Sequence, residues 1–153
     1  MIFEQRVVVP EHSDRIWDFL MDVVALSRCV PDVQSFEMID ADTFAGTLRV
    51  KVGPVGMNLS GMVKVVERER DSLRCRMNVK ADEKRLNSSV SAEVTMTLVR
   101  ISEKETEILI HTDSSVFGKL GEFGQAVMRR KADQLAAEFA RNLAVAIGVP
   151  SRG

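Results

Sequence analysis

Several kinds of residue are scarce in this chain of 153 residues, and each scarcity excludes a class of protein. Two cysteines, Cys29 and Cys75, are too few for a disulfide scaffold and lack the paired spacing of a zinc site. Basic residues number 21 against 22 acidic ones, so the net charge of −1 argues against a nucleic-acid-binding protein. No apolar run reaches the roughly 18 residues of a membrane span, and the N-terminus lacks the apolar core of a signal peptide. These absences predict a cytoplasmic protein.

Histidine is also rare, and neither of the two histidines is placed for catalysis. His12 precedes a predicted helix and is expected to be solvated. His111 is out of phase with Ile108 and Ile110 on a predicted strand, so it is expected to face solvent beside Asp113. A general base must meet its substrate inside a pocket, and no nucleophile accompanies this pair. We therefore predict no catalytic residue, no metal site and no cofactor.

Hydrophobic periodicity predicts one strand, a short helix, six further strands and one long helix. A period of two predicts strands at 3–9, 34–40, 43–52, 57–70, 73–80, 88–102 and 106–115. Helical spacing predicts a helix over 14–22, with Ser13 as its N-cap, and a further turn at 26–29. An apolar stripe at three- and four-residue spacing predicts a helix over 119–147, which would be ~43 Å long at ~1.5 Å per residue.

The order of these elements predicts an α+β helix-grip fold, in which a seven-stranded curved antiparallel sheet surrounds the long C-terminal helix. Apolar residues alternate with polar ones along strands such as 88–102, which is typical of a sheet with one apolar and one solvated face. No linker or internal repeat interrupts the order, so we predict a single domain over residues 1–153. A curved sheet cannot close perfectly around one helix, and the remaining space predicts an apolar cavity. The alternative is that Phe and Met side chains fill it.

The inward faces of the sheet and helix supply the residues that we expect to bind a ligand. From the sheet we expect Leu48, Val50, Val52, Leu59, Leu73, Met77, Met96, Leu98, Ile108, Ile110 and Thr112. From the C-terminal segment we expect Phe117, Leu120, Phe123, Val127 and Met128. Thr112 and Ser114 share the inward parity, so their hydroxyls would orient a ligand carbonyl; the alternative is local hydrogen bonding to the backbone.

Glycines mark the expected mouth of the cavity. Gly118, Gly121 and Gly124 recur every three residues where the long helix begins, and each lowers helix propensity by ~1 kcal/mol relative to alanine. They predict a soft helix end that opens the cavity, with the segment Gly53-Pro54-Val55-Gly56 as a facing lid loop. The alternative is close packing of helix on strand, where a side chain would not fit.

Three stretches resemble the carbon monoxide dehydrogenase CoxG subunit family, which belongs to the START-like, or SRPBCC, helix-grip superfamily. The first is Val50-Lys51-Val52-Gly53-Pro54-Val55, followed by Leu59, Gly61 and Val63, which is similar to the strand–turn–strand signature of the family. The second is Arg28-Cys29-Val30-Pro31-Asp32-Val33, after the first helix. The third comprises Val116-Phe117-Gly118-Lys119-Leu120, then Phe123-Gly124 and Arg130-Lys131-Ala132-Asp133-Gln134-Leu135. The resemblance covers about residues 3–147.

This resemblance implies a START/Bet v 1-like fold and an accessory role beside a molybdenum-hydroxylase dehydrogenase, with a hydrophobic, quinone-like ligand and no catalysis. Two features depart from the family pattern. Residues 80–87 are charged and lack glycine where the family has a glycine-rich turn, which alters one end of the cavity. The sequence ends at Gly153, whereas many members carry a C-terminal extension that reaches the membrane. A peripheral contact at the inner face of the membrane is therefore the most that we expect.

Together these observations predict a non-enzymatic protein that binds an apolar small molecule, quinone- or lipid-like, and serves as accessory or recruitment factor for a carbon monoxide dehydrogenase-type enzyme. Two alternatives stay open. One is a ligand-free assembly factor that docks on a dehydrogenase. The other is a cyclase- or hydrolase-type enzyme of the same superfamily, which would need ionisable groups that point inward.

Overall fold

The elements alternate along the chain much as the hydrophobic periodicity predicts. A computed structural model describes residues 1–148, so the last five residues of the predicted domain lie outside the described residues. The strands are β1 Ile2–Val9, β2 Val33–Met38, β3 Thr43–Val52, β4 Val55–Glu69, β5 Arg74–Glu83, β6 Ser88–Ser102 and β7 Glu105–Phe117. The helices are α1 Ser13–Met21, α2 Val23–Ser27, a 3₁₀ helix at Lys119–Phe123 and α3 Gln125–Ile147.

The seven strands form one antiparallel sheet in the order β1-β7-β6-β5-β4-β3-β2. Strands 2 to 7 follow one another as hairpins, whereas β1 pairs with β7. Alternation along each strand produces an inner apolar face and an outer polar face. On β1, for example, Phe3 and Val9 are buried while Glu4 and Arg6 are exposed. The sheet is curved and the long C-terminal helix packs on it, which confirms the predicted α+β fold class.

A β-bulge changes the parity of β4 near its end. The register shifts between Val65 and Glu67, so that Arg68 pairs with Cys75 and Glu67 pairs with Arg76. A bulge inserts one extra residue and so reverses which face the following side chains occupy. Arg68 therefore lies on the inner face, with Cys75, although unbroken alternation from Val65 would place it on the outer face.

The inner face carries two apolar clusters at opposite ends of the sheet. The helix cluster joins α1, α2 and the last turns of α3 to the sheet, through buried side chains such as Trp17, Leu98, Ile108, Phe139 and Leu143. The hairpin cluster lies where β3 turns into β4, and its buried members are Val50, Val52, Met57 and Leu120. Because α3 contributes side chains to both clusters, it spans the sheet from one to the other.

The N-cap of α1 is His12, whereas the sequence predicted Ser13. His12 has extended backbone angles, and its Nδ1 accepts a hydrogen bond of 3.1 Å from the backbone N–H of Asp14. Ser13 is fully buried, and its Oγ accepts a hydrogen bond of 3.0 Å from Nε of Arg100 on β6. The hydroxyl that was expected to cap the helix thus joins the helix to the sheet.

The predicted helix over 119–147 is interrupted at Gly124. This residue has φ 84° and ψ 160°, a conformation that is nearly restricted to glycine and that no α-helix contains. Residues before it form the short 3₁₀ helix, and α3 itself has 23 residues, or ~34 Å at ~1.5 Å per residue, rather than ~43 Å. None of the helices within residues 1–148 is long and apolar enough to cross a membrane.

Candidate ligand-binding site

The residues predicted to line one cavity wall divide between the two clusters. The helix cluster contains Leu73, Met77, Met96, Leu98, Ile108 and Ile110. The hairpin cluster contains Leu48, Val50, Val52, Leu59, Leu120, Phe123, Val127 and Met128. Parity along the strands therefore identified inward side chains, but these side chains meet at the two ends of the sheet and not around one centre.

Between the clusters lies a band of half-buried residues that belong to neither, which we call the trough. On β6, Ala92 and Val94 separate Val90 of the hairpin cluster from Met96 of the helix cluster. On α3, Leu135 separates the members of the two clusters in the same way. The trough consists of Gly61, Val79, Ala81, Ala92, Val94 and Thr112 on the sheet and Leu135 on the helix.

Small side chains form the floor of the trough. Gly61 pairs with Ala81 across β4 and β5, and Val79 pairs with Ala92 across β5 and β6. Thr112 pairs with Val94 and supplies a hydroxyl at one side of this apolar floor. These side chains are smaller than the Leu, Met and Phe side chains of the clusters at either end of the sheet. The predicted polar residue, Thr112, thus lies among small apolar side chains between the two clusters.

Phe117 does not line the interior, contrary to the prediction. It is the last residue of β7, pairs with Ser89, and is 64% exposed. Its parity on β7 is that of His111, on the outer face, whereas Val116 packs into the hairpin cluster. The prediction assigned Phe117 to the C-terminal stripe, but the strand continues through it, and strand parity decides which way it points.

Ser114 follows the alternative that the sequence left open. It is buried, and its Oγ donates a hydrogen bond of 3.1 Å to the backbone carbonyl of Met1. The backbone N–H of Ser114 also donates to that carbonyl, at 2.8 Å. Its hydroxyl is therefore engaged by the backbone at the start of the chain, which leaves Thr112 as the inward hydroxyl that could meet a ligand.

The glycines at the predicted mouth have different roles. Gly53 and Pro54 are exposed and form a two-residue turn, because Val52 already pairs with Val55, so the expected four-residue lid loop does not exist. Gly118 has φ 83°, and a Cβ there would lie 2.1 Å from the carbonyl oxygen of Asn87, so close packing requires glycine. Gly124 has a similar φ but open space around it.

We call residues 119–123, between Gly118 and Gly124, the lid. Its Leu120 is 2% exposed and belongs to the hairpin cluster, which Phe123 also contacts. The backbone N–H of Leu120 donates to Oγ of Ser88 at 3.0 Å. At Gly121, between them, a Cβ would lie 3.3 Å from the carbonyl oxygen of Val116. The lid is thus a short segment that covers the hairpin end of the inner face. A glycine in a glycine-specific conformation lies on each side of it. Beside it is an open surface depression of about 410 Å³.

Three large polar side chains on the inner face, from Gln, Glu and Arg, were not predicted from the sequence. Gln5 is 8% exposed and donates from Nε2 to Oδ1 of Asp133 on α3 at 3.1 Å. Glu83 is 5% exposed and accepts hydrogen bonds from the backbone N–H groups of Asn58 and Arg85. Arg68 is the third. Parity alone would have identified Gln5 and Glu83, whereas Arg68 required knowledge of the bulge.

A small cavity, the α1 cavity, opens between α1, α2 and the sheet. Its volume is about 10 Å³, room for about one water molecule. It is lined by Trp17, Leu20, Met21, Val23, Leu26, Val65, Arg68, Cys75, Met77, Met96 and Leu98. Among these lining residues Arg68 alone is charged. Three of the predicted wall residues, Met77, Met96 and Leu98, therefore line a cavity. The opposite wall of this cavity is formed by α1 and α2, which the sequence analysis did not assign to the ligand site.

The two thiols should make stability depend on pH in the alkaline range. Burial raises the pKa of Cys29 and Cys75 above the ordinary value of 9.0; at Cys75 the charge of Arg68 partly opposes this. The folded protein therefore retains protons that the unfolded chain releases, and the free energy of unfolding should fall as pH rises through about 9. Urea unfolding at pH 7.5 and pH 9.5 measures this fall. A Cys29→Ala, Cys75→Ala variant should lose less over the interval; an equal loss would contradict the prediction.

His111 faces solvent as the sequence predicted, and His12 is partly exposed but is itself the N-cap of α1 and does not precede the cap. His111 is exposed, with Nδ1 3.9 Å from Oε2 of Glu4 on the outer face, while His12 caps α1. Within residues 1–148, no three His, Cys, Asp or Glu side chains lie together as metal ligands would. Over the part of the chain that the structure describes, the inner face thus presents apolar side chains, the hydroxyl of Thr112 and polar groups that already form hydrogen bonds.

A curved antiparallel sheet with a long C-terminal helix and a half-buried inner trough defines a START-like helix-grip protein. The chain belongs to the carbon monoxide dehydrogenase CoxG subunit family, whose model matches residues 6–148. Fold and family together support a domain that binds a hydrophobic ligand. No curated protein sequence matches the chain significantly.

Solved structures of low sequence identity share the fold. A conserved protein from Geobacillus kaustophilus is 20% identical with a TM-score of 0.85, covering 96% of this chain and 95% of its own. The Zhui aromatase/cyclase from Streptomyces sp. R1128 is 12% identical, with a TM-score of 0.67 and coverage of 100% and 96%. A START superfamily protein from Mycobacterium smegmatis is 10% identical, with a TM-score of 0.68 and coverage of 95% and 96%.

Proposed function

We propose that this protein is a cytoplasmic, non-enzymatic carrier of an apolar, quinone- or lipid-like small molecule, and an accessory factor for a molybdenum-hydroxylase enzyme of the carbon monoxide dehydrogenase type. The observation that carries the proposal is the trough. Its half-buried residues, among them Val79, Val94 and Leu135, belong to neither apolar cluster, so an apolar molecule placed there would cover surface that the fold leaves partly accessible. Burial of apolar surface contributes about 25 cal/mol per Å² before the costs of binding.

The lid supplies a route to the trough. Leu120 and Phe123 lie in the hairpin cluster, next to Val90 at the end of the trough. Withdrawal of the lid would remove both side chains and open that end. The lid is hinged at Gly118 and Gly124, which both have a positive φ while it is closed, a backbone conformation that favours glycine. The closed lid is retained by Leu120 burial and its hydrogen bond to Ser88.

Filling the trough from within tests whether it holds the ligand. Ala92→Leu adds three carbon atoms to the trough floor, and we expect it to abolish ligand binding while changing the free energy of unfolding by less than about 1 kcal/mol, because Ala92 is only half-buried. In a fully packed core the same change would cost about 1–3 kcal/mol. Urea unfolding and native mass spectrometry measure the two quantities. The control is Ser91→Leu, on the neighbouring exposed outer position, which should retain binding.

Native mass spectrometry of freshly purified protein, followed by solvent extraction, tests the carrier function directly. A stoichiometric apolar adduct that is lost in Ala92→Leu and recovered chemically unchanged would support it. Recovery of a product with altered mass would favour an enzyme, which the fold shared with an aromatase/cyclase makes the second candidate. A protein mass that added quinones and lipids leave unshifted would favour the ligand-free assembly factor. Co-purification with a molybdenum- and flavin-containing dehydrogenase tests the accessory role in each case.

A further inference from the structure

The α1 cavity combines apolar walls with one cationic end. Trp17, Leu98 and Val65 are 3–4% exposed and form its interior, whereas Arg68 is exposed and forms its rim. The guanidinium belongs to this inner surface because the bulge between Val65 and Glu67 turns it there. A molecule with an apolar body and an anionic end would match this distribution of charge.

The guanidinium of Arg68 is held at the rim by the turn between β2 and β3. Its Nη1 donates to Oδ1 of Asp42 at 2.6 Å, and its Nη2 donates to the carbonyl oxygen of Ala41 at 3.3 Å. Guanidinium has five N–H donors in a fixed fork, so these two contacts leave donors for another acceptor. The side chain of Asp42 is 51% exposed, so this ion pair is open to solvent and to competition by a second carboxylate.

The charge of Arg68 also acts inside the cavity. Burial raises the pKa of the Cys75 thiol, and the positive charge of Arg68 opposes that rise, which places the guanidinium within electrostatic reach of a buried cavity residue. Arg70, two residues later, differs: it pairs with Asp18 at 2.7 Å on the exposed surface of α1 and does not line the cavity. The two arginines therefore form a natural pair of site and control.

The volume of about 10 Å³ requires the walls to adapt before a larger molecule can enter. Three of the lining residues are Met21, Met77 and Met96, whose unbranched side chains repack readily. Met77 and Met96 also adjoin the trough, since Met77 pairs with Val94 on the neighbouring strand. Displacement of these methionines would join the α1 cavity to the trough in one continuous apolar path.

We propose that the ligand of this protein is an apolar molecule that ends in a carboxylate, with the carboxylate on Arg68 and the apolar body directed past Met77 into the trough. This ligand class rests on the proposed carrier function and makes it more specific. Arg68 acts as the specificity-determining residue, because it would favour an acid over a neutral molecule with the same chain. Asp42 acts as the intramolecular competitor that the ligand carboxylate displaces.

Trp17 is the single tryptophan of the chain and lines the α1 cavity, so its fluorescence reports occupancy. Titration at pH 8 with decanoate and with decanol compares two ligands of equal chain length. We expect decanoate to bind at least about tenfold more tightly, as charge-assisted hydrogen bonds to a carboxylate would produce. Arg68→Gln should bring the two dissociation constants within about twofold of each other, and the control Arg70→Gln should leave the preference intact.

Asp42→Asn provides a second test that leaves Arg68 in place. It removes the competing carboxylate, and decanoate should then bind at least about threefold more tightly with decanol unchanged. Equal affinity for the two ligands in the unsubstituted protein, or a preference for decanoate that survives in a folded Arg68→Gln variant, would overturn the inference. If either result overturns the inference but decanol still binds tightly, the carrier function remains supported. If native mass spectrometry detects neither these ligands nor quinones or lipids, the carrier function fails as well.

Discussion

Replacing Gly118 with alanine should destabilise the protein by ~3–5 kcal/mol, because two independent costs combine at this position. The first is torsional, since φ is 83° and ψ is −159°. The second is steric, since the new Cβ would lie 2.1 Å from the carbonyl oxygen of Asn87, a backbone atom that cannot move without displacing the turn between β5 and β6. Urea unfolding followed through Trp17 fluorescence measures the loss.

Gly124→Ala separates the two costs. Gly124 has φ 84°, but nothing lies within 4 Å of a Cβ built there. This variant should therefore lose only the torsional part, ~1–3 kcal/mol, and the strain should favour an open lid. We expect faster exchange of the bound ligand in Gly124→Ala than in the unsubstituted protein. If the two alanine variants are equally stable, the contact between Gly118 and Asn87 does not hold the lid in place.

Leu143→Ala should cost ~2.5–5 kcal/mol, in the range measured for buried leucines whose removal leaves a cavity. Leu143 is fully buried in the helix cluster, where α3 meets α1 and the sheet. Its side chain joins the last turns of α3 to the same cluster as Trp17. The tryptophan spectrum in the folded state should therefore report any loosening, and urea unfolding should report the loss of stability.

Val145→Ala is the matched control, because this residue lies two positions further along α3 and is 76% exposed. It should change the free energy of unfolding by less than about 0.5 kcal/mol. A cost below about 1 kcal/mol for Leu143→Ala would mean that the helix cluster collapses around the missing side chain. The α1 cavity would then be more adaptable than its present volume indicates.

Strand parity was the most reliable guide to the fold, since the predicted strand at 88–102 is β6 and its inward residues Val90, Met96 and Leu98 pack in the clusters. Hydrophobic periodicity fails to predict which face of the sheet a side chain occupies where one inserted residue shifts the alternation, as it does in β4. The bulge after Val65 has no distinct sequence signal, because a Val-Val-Glu-Arg run fits a regular strand equally well. The inward position of Arg68 could therefore not be predicted from the sequence.

The break at Gly124 was hidden for a related reason. Leu120, Phe123 and Val127 keep helical spacing across it, although the first two belong to the 3₁₀ segment and the third to α3. Both segments pack on the same hairpin cluster, so the apolar stripe continues while the backbone does not. The separation of the predicted wall into two clusters likewise depends on where α3 crosses the sheet, and hydrophobic spacing within single elements does not contain that information.

The pairing of β1 with β7 determines the order in which this protein can fold. Ile2 pairs with Asp113, so more than a hundred residues must be synthesised before the first strand has a partner. Strands β2 to β7 need only short hairpin closures, which cost less loop entropy and form faster. During synthesis the meander should therefore assemble first, and the docking of β1, which also carries the contact between Gln5 and Asp133 of α3, should be a late step.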